Sequence, residues 1–261
     1  MSITIREILT GGVFVRGTPG EVGTSAAAVA ADAILAALAE RGRARVVFAS
    51  APSQEPMLTA LAADRRIDWS RVTSFHMDEY LGIAADHPQA FGRWLADRLP
   101  AAARQGLLRI DPTAEPGHEA ERYAALLAEA PIDLTCLGVG VNGHIAFNEP
   151  GLTRFDDPEL VRLVRIDDVS RRQQVDEGLF PSLDRVPTEA LSLTVPALMG
   201  ATRMVASVLG EHKAAAVAAA LTGPVSPQCP ASVLRTHSAV SMHLDTAAVA
   251  LVEPSTQPGD V

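Results

Sequence analysis

Two short segments of the chain combine side chains that can transfer protons. The first, MDEYLG at 77–82, places Asp78 and Glu79 directly after an apolar run. Partial burial there would raise a carboxyl pKa towards the range that is useful for general acid–base catalysis. Because side chains alternate along extended backbone, we expect one acid to face a cleft and the other to anchor the loop. Taken alone, the pair is more typical of a polar strand end.

The second segment, GVGVNGHIAFNEP at 138–150, is rich in glycine and contains one histidine. Glycines let the backbone turn tightly and approach a ligand, and His144 is the side chain best suited to pass protons near neutral pH. Glu149 is close enough in sequence to orient that imidazole. Gly138, Gly140 and Gly143 also match the spacing of a dinucleotide-binding loop, but such a loop requires a following helix and a downstream acid. We therefore predict no nicotinamide cofactor.

Two further segments could hold an anion at a strand-to-helix transition. Lys213, in the segment VLGEHK, is the single lysine among 22 basic residues. An ammonium in the first helical turn opposes the helix macrodipole, but it is well placed to meet an anion bound at the amide groups there. Ser53 and Gln54 lie in the segment SAPSQEP, where Ser53 could cap a helix or help to hold an anion. Capping is the simpler interpretation of that segment alone.

Apolar or β-branched runs alternate with helical stretches along nearly the whole chain. We predict strands at 43–49, 71–76, 132–138, 160–166, 191–195, 204–209 and 239–243, and helices at 24–41, 55–63, 88–99, 119–130, 169–179 and 213–221. This order favours one α/β domain over 1–254 with a mostly parallel sheet covered on both faces. Ligands of such sheets bind beyond the carboxyl ends of the strands, so we expect the chemistry in the loops that follow them. Residues 255–261 are predicted to form a disordered tail.

The amino-acid composition limits which classes of binding partner and which cellular compartment we predict for the protein. The net charge of −9 argues against nucleic acid, which is bound through a surplus of basic residues. Cys136 and Cys229 are far apart and lack the spacing of zinc ligands, so we predict neither a metal site nor a disulfide scaffold. We find no signal peptide and no apolar stretch of about 18 residues, and therefore predict a cytoplasmic protein without a membrane span. The alanine-rich stretch at 26–38 is predicted to be a buried helix.

The chain resembles the glucosamine-6-phosphate deaminase family over roughly residues 46–252. Five segments carry the resemblance in order and spacing: FHMDEYLG, HPQAFGRWL, GVGVNGHIAFNEPG, VPTEALSLTVPALMGA and VLGEHKAAAV. The related 6-phosphogluconolactonases usually have GHTASLFP-like residues in place of 144–150. The resemblance implies a Rossmann-like, three-layer α/β/α domain that acts without metal or cofactor on a sugar phosphate. The implied reaction converts glucosamine 6-phosphate, or a related amino-sugar phosphate, to fructose 6-phosphate and ammonia.

The resemblance also assigns roles to individual residues. Asp78 matches the base that moves a proton between C2 and C1 of the open-chain sugar. His144, with Glu149 as its carboxylate partner, matches the group that opens the sugar ring. Asn142 stands where many members have Asp, and we expect it to orient the histidine. The expected substrate contacts are Ser53, Gln54, Glu79, Gly140, Gly143, Arg171, Arg172 and Lys213.

The departures from the family cluster at the end of the site that binds phosphate. The phosphate loop of the family reads like Gly-Gly-Thr-Pro, whereas this chain has SQEP at 53–56. An ungapped alignment places Glu177 where the family has a phosphate-contacting arginine, so Arg171 or Arg172 would have to substitute from the previous helical turn. We therefore predict a divergent member that keeps the proton-transfer residues and has an altered anion or substituent pocket.

The sequence is also compatible with two other functions. A sugar-phosphate lactonase on the same fold would use His144 to activate water but has little use for Asp78 as a carbon base. A non-enzymatic sugar-sensing domain normally follows a DNA-binding helix-turn-helix, and about 20 residues at most precede the first predicted long helix here. A homo-oligomer is compatible with the sequence, because family members range from monomer to hexamer.

Overall fold

The protein consists of ten strands and seven α-helices within residues 8–252, the part of the chain that the computed structural model describes. The strands are β1 (Val13–Arg16), β2 (Ala44–Phe48), β3 (Val72–His76), β4 (Asp78–Tyr80), β5 (Leu107–Leu108), β6 (Leu134–Leu137), β7 (Val161–Arg165), β8 (Glu189–Leu193), β9 (Arg203–Val208) and β10 (Val240–Asp245). The helices are α1 (Pro19–Arg41), α2 (Glu55–Ala62), α3 (Phe91–Arg98), α4 (Pro116–Ala128), α5 (Asp168–Asp176), α6 (Val195–Met199) and α7 (Ala214–Thr222). The tail predicted at 255–261 lies outside the described residues.

Seven of these strands form one parallel sheet in the order β1-β10-β9-β6-β2-β3-β5. From β2 the chain first adds β3 on one side and later adds β6 on the other. The strand order therefore reverses between β2 and β6. Open α/β sheets bind ligands beyond the carboxyl ends of the strands at such a reversal.

Helices cover both faces of the parallel sheet. Val46 and Phe48 of β2 pack in one core with residues of α1, α2 and α3, whereas Val47 between them packs in another with residues of α4, α6 and α7. This division follows from the alternation of side chains along a strand. The predicted three-layer α/β/α architecture with a mostly parallel sheet is confirmed.

The first helix begins earlier than the sequence analysis predicted. Thr18 and Glu21 form a capping box, and Pro19 occupies the first helical turn, so α1 starts five residues before the predicted position 24. The expectation of no apolar stretch of about 18 residues was wrong, because α1 contains such a window with a mean hydropathy of 1.7. By length and composition alone the helix could cross a membrane. Half of that window is buried in the fold, and α1 packs against α2 and five strands of the parallel sheet.

A second, smaller sheet was not anticipated. Strands β4, β8 and β7 pair antiparallel in the order β4-β8-β7, although the segments at 160–166 and 191–195 were predicted only as strands of a mostly parallel sheet. Beside this sheet Tyr80, Phe91, Phe147 and Phe180 form a compact aromatic core. The small sheet holds the segment that carries Asp78 against the carboxyl edge of the large one.

Candidate active site

A cavity of about 300 Å³ lies at the reversal of the strand order, a volume suited to a small ligand. Its walls come from residues 49–53 after β2, 77–78 after β3, 138–140 after β6, and Leu209, His212 and Lys213 after β9. Residues of α5 and the turn after it complete the enclosure. The loops in which the sequence analysis expected chemistry therefore converge on one space.

Asp78 stands where the chain passes from the large sheet to the small one. It follows β3 by two positions, begins β4 and pairs with Ser192 of β8. Its side chain lines the cavity and makes no hydrogen bond with any residue among 8–252. Burial raises the pKa of Asp78 to about 8, and the neighbouring Glu79 adds to that shift. A carboxyl group with this pKa is suited to accept a proton from a bound ligand near neutral pH.

His76 fixes the backbone of Asp78. Its Nε2 accepts the N–H of Ile110 at 3.0 Å, so its Nδ1 carries the proton and donates to the carbonyl of Asp78 at 2.7 Å. Burial lowers the pKa of His76 to about 4, which keeps the ring neutral. The ring is fully buried and does not line the cavity. It acts on the site only through the chain that it holds.

Glu79, which was expected to contact substrate, is directed at backbone amides and does not line the cavity. Its Oε1 accepts the N–H groups of Tyr80 at 3.1 Å and Phe91 at 2.9 Å, and its Oε2 accepts that of Gly92 at 2.8 Å. Burial raises the pKa of Glu79 to about 7, although these three donors lower it. The carboxyl group satisfies amides at the start of α3 and lies away from the cavity lining. The predicted divergence of the two acids is observed: Asp78 faces the cleft and Glu79 anchors the loop.

His144 lines the cavity and is oriented by a chain of two side chains. The Nδ2 amide group of Asn142 donates to Oε2 of Glu149 at 2.9 Å, because a carboxylate can only accept. The Oδ1 of Asn142 therefore faces His144, whose Nδ1 lies 2.8 Å away and whose backbone N–H donates to it at 3.1 Å. This geometry requires the proton on Nδ1 and leaves the lone pair on Nε2 in the neutral ring. The hydroxyl of Ser170 lies 2.9 Å from the same Nδ1.

Glu149 anchors that chain as a charged group. Burial acts to raise the pKa of its carboxyl, but the contacts with His144, Ser170 and Asn142 outweigh burial and hold the pKa at about 2. Its Oε2 lies 3.6 Å from Nδ1 of His144, so it contributes charge rather than a direct hydrogen bond. Glu149 and Asn142 lie behind the histidine and do not line the cavity.

Two glycines of the 138–150 loop were expected to contact substrate, and only one lines the cavity. Gly140 does so, and a Cβ there would lie 2.1 Å from Cε1 of the His144 ring. Gly143 has a φ of +86° and packs against Cys229, where a Cβ would approach Sγ to 2.8 Å. Gly143 permits the turn before His144 and does not line the cavity.

One face of α5 serves the site, and it is not the face that carries the arginines. Ser170, Gln173, Gln174 and Glu177 follow helical spacing; Ser170 contacts His144 and the other three line the cavity. The two neighbouring arginines, Arg171 and Arg172, were expected to contact substrate, and the structure does not bring them to the cavity. Arg171 donates to the carbonyls of Leu183 and Val186 and pairs with Asp168, and Arg172 is exposed; neither lines the cavity. The sequence analysis missed both glutamines, although the spacing from Glu177 could have indicated them.

The segment after β2 contributes Ser53 to the cavity but not Gln54. Gln54 is fully buried, and its Nε2 donates to the carbonyl of Ser207 at 3.0 Å and to Oγ of Ser53 at 3.1 Å. Gln54, which was expected to contact substrate, supports Ser53 and does not line the cavity. Because Pro52 has no N–H and the N–H of Gln54 donates to the carbonyl of Ala51 at 2.9 Å, this turn offers few free backbone donors.

Lys213 lines the cavity from the turn that precedes α7. Its Nζ lies 3.7 Å from Oε1 of Glu177 across the cavity wall. Burial lowers the pKa of Lys213, and the charge of Glu177 opposes that shift. The Nε2 of Gln173 donates to the same Oε1 of Glu177 at 2.7 Å. The single lysine of the sequence is thus buried beside an acid in the cavity wall.

Comparisons with known proteins agree with this geometry. Residues 17–242 match the family model described as glucosamine-6-phosphate isomerases/6-phosphogluconolactonase. A glucosamine-6-phosphate deaminase of Exiguobacterium sibiricum is 35% identical over 189 residues, which cover 72% of this chain and 73% of that protein. The enzyme of the same name from Listeria innocua is 37% identical over 188 residues, covering 71% and 78% respectively.

Solved structures show the same fold. A monomeric glucosamine-6-phosphate deaminase superposes with a TM-score of 0.83 at 29% identity, over 92% of this chain and 99% of that one. A 6-phosphogluconolactonase from Shewanella baltica superposes with a TM-score of 0.75 at 18% identity, over 94% and 100% of the two chains, which shows the fold alone. Family model, relatives and fold all agree, and the chain belongs to the family of glucosamine-6-phosphate isomerases and 6-phosphogluconolactonases.

Proposed function

We propose that the protein isomerises and deaminates an amino sugar, and that glucosamine 6-phosphate, named in its relatives, is the first substrate to test. The products would be fructose 6-phosphate and ammonia. One observation carries the proposal: a single cavity is lined both by Asp78, a buried carboxyl group with a raised pKa, and by His144, an imidazole of fixed orientation. The reaction requires two separate acid–base groups, and the cavity supplies two.

The first step is ring opening at His144. With its proton on Nδ1, the neutral ring has a free Nε2 that can take the proton of the anomeric hydroxyl and return it to the ring oxygen. Asn142 holds the ring in place, and the ionised Glu149 stabilises the imidazolium that forms in between. The histidine is therefore unchanged at the end of the step.

The second step is proton transfer at Asp78. The ionised carboxyl group takes the proton from C2 of the open-chain aldose, can exchange it with solvent, and then delivers a proton to C1. Over the step a second proton passes from the amine nitrogen to O1, so the C2 amine becomes an imine beside a C1 hydroxymethyl group. Water adds to that imine, and ammonia leaves as the ketose forms. Because burial raises the pKa of Asp78 to about 8, its carboxylate is a stronger base than an exposed aspartate. No residue among 8–252 competes for that carboxylate by a hydrogen bond.

The main alternative is lactone hydrolysis, because the family also contains lactonases. Lactone hydrolysis needs a group that activates water, which His144 could supply, but it involves no proton transfer at carbon. The carboxyl group of Asp78 lines the cavity and makes no hydrogen bond with any residue among 8–252, so it is available to act on a substrate carbon. This supports the isomerase over the lactonase. A sugar-sensing role predicts ligand binding without turnover.

Solvent exchange tests the proposal. Purified protein is incubated with glucosamine 6-phosphate in deuterated water, and ammonia and the isotope content at C1 of the product are measured. The proposal expects ammonia together with deuterium at C1. Hydrolysis of 6-phosphogluconolactone at a higher kcat/KM, without exchange into the amino sugar, would instead establish the lactonase.

A further inference from the structure

The cavity wall formed by α5 and the turn before α7 holds a fixed pair of opposite charges. Nζ of Lys213 lies 3.7 Å from Oε1 of Glu177, and their side chains are 6% and 21% exposed. Glu177 is held in place by Gln173, whose Nε2 donates to it at 2.7 Å while its Oε1 accepts the N–H of Val141 at 3.1 Å. The carboxylate is thus tied to the 138–150 loop and is not a mobile surface group.

This pair leaves no uncompensated lysine or arginine among the described residues that line the cavity. Among the described residues that line it, Lys213 is the sole lysine or arginine, and Glu177 balances its charge. Arg171 and Arg172 are directed elsewhere. A phosphate ester carries between one and a half and two negative charges near pH 7, roughly, so phosphate bound at Lys213 would be repelled by Glu177.

The same pair is well suited to an uncharged hydroxyl group. A hydroxyl can donate to the carboxylate of Glu177 and accept from the ammonium of Lys213 at once, so both charges keep a hydrogen-bonding partner when water leaves. The turn at 52–54 adds to this preference, because Pro52 has no N–H and the N–H of Gln54 is already donated to Ala51. A phosphate group would find few backbone donors there.

We propose that Glu177 determines substrate specificity: by pairing with Lys213 it disfavours a dianionic phosphate and admits amino sugars that present an uncharged hydroxymethyl group at this wall. The inference rests on the proposed function for the chemistry catalysed, and it narrows the class of sugar on which that chemistry acts.

The test compares two substrates on three proteins. Values of kcat/KM for glucosamine 6-phosphate and for glucosamine are measured with the wild type, Glu177→Gln and the control Asp176→Asn. Asp176 is the adjacent acid, is exposed and lies outside the cavity lining, so its variant makes the same change of charge away from the site. We expect the ratio of phosphorylated to unphosphorylated kcat/KM to rise at least tenfold in Glu177→Gln and to stay within threefold in Asp176→Asn. A smaller rise in Glu177→Gln, or an equal rise in the control, overturns the inference.

A binding measurement separates this inference from the proposed function. If no variant releases ammonia from either sugar, the proposed function fails, and calorimetric titration with inorganic phosphate then decides the role of Glu177. The inference expects phosphate to bind at least tenfold more tightly to Glu177→Gln than to the wild type, and no tighter to Asp176→Asn. Equal affinity in wild type and Glu177→Gln overturns it. Circular dichroism of each variant establishes that the fold is kept.

Discussion

Replacing Gly140 by alanine tests whether the position of His144 controls catalysis. The added Cβ would lie 2.1 Å from Cε1 and 2.3 Å from both Nδ1 and Nε2 of the imidazole, whereas ordinary contact begins at 3.4 Å. The ring must therefore retreat by about 1.3 Å, the difference between 2.1 and 3.4 Å. A shift of that size is enough to break the 2.8 Å hydrogen bond from Nδ1 to Asn142.

The expected cost of Gly140→Ala follows from that displacement. Misplacing a catalytic group by roughly 1 Å costs about 100-fold in rate, which corresponds to about 2.7 kcal/mol of transition-state stabilisation. Overpacking should also lower the free energy of unfolding by about 1–3 kcal/mol. We expect kcat for ammonia release to fall about 100-fold while KM changes little, measured by a coupled ammonia assay at a temperature where the variant is folded.

A matched glycine provides the control. Gly20 lies in the first turn of α1, where a Cβ would meet nothing within 4 Å. Gly20→Ala should keep full activity and should leave the free energy of unfolding unchanged or up to about 1 kcal/mol higher. If Gly140→Ala retained more than a third of the wild-type kcat, the placement of His144 against Gly140 would be irrelevant to the reaction and the argument would be refuted.

Three further predictions concern the two acids of the 77–82 segment. Asp78→Asn should lower kcat by at least about 10³-fold and abolish solvent exchange at C1, while calorimetry still detects ligand binding; exchange at the wild-type rate would exclude Asp78 as the base. Because burial raises the pKa of Asp78 to about 8, the folded protein keeps a proton that the unfolded chain loses above about pH 4, so this group lowers stability progressively as pH rises between those values. Asp78→Asn should therefore raise the Tm relative to the wild type by an amount that grows from pH 4 to pH 8, and a pH-independent difference would contradict the raised pKa. Glu79→Gln should lower the free energy of unfolding by about 1–3 kcal/mol in chemical denaturation, because Gly92 N–H then faces an amide that can present a donor, whereas KM should change by less than about threefold.

Local pattern was sufficient to predict five strands of the large sheet and both longer strands of the small one, but not β1, β4 or β5. β2, β3, β6, β9 and β10 are apolar runs buried on both faces, which is the pattern that a covered parallel sheet imposes. β4 has only three residues, and its partner residues 190–192 lie more than a hundred positions later. β5 is a two-residue strand. Such pairings depend on distant contacts, so the DEY segment was read as a loop.

The proton-transfer residues could be located from the sequence because they follow strands. The residues that line the rest of the cavity could not be located in this way. Asp78 follows β3 and His144 lies in the loop after β6, and the carboxyl ends of these two strands meet at one edge of the large sheet. Arg171 was expected to bind the substrate because of its charge, but its guanidinium donates to the carbonyls of Leu183 and Val186 and does not line the cavity. Glu177 was noticed as a departure from a family pattern, and only the structure shows it paired with the lysine.

The most direct test of the account follows deuterium from solvent into the product. The wild-type protein is incubated in deuterated water with glucosamine 6-phosphate and, separately, with glucosamine, while ammonia and the isotope content at C1 of the ketose are recorded. We expect ammonia release with deuterium at C1 from at least one of the two sugars, and neither signal from Asp78→Asn. Label at C1 or ammonia release that persists at the wild-type level in Asp78→Asn would contradict proton transfer by Asp78.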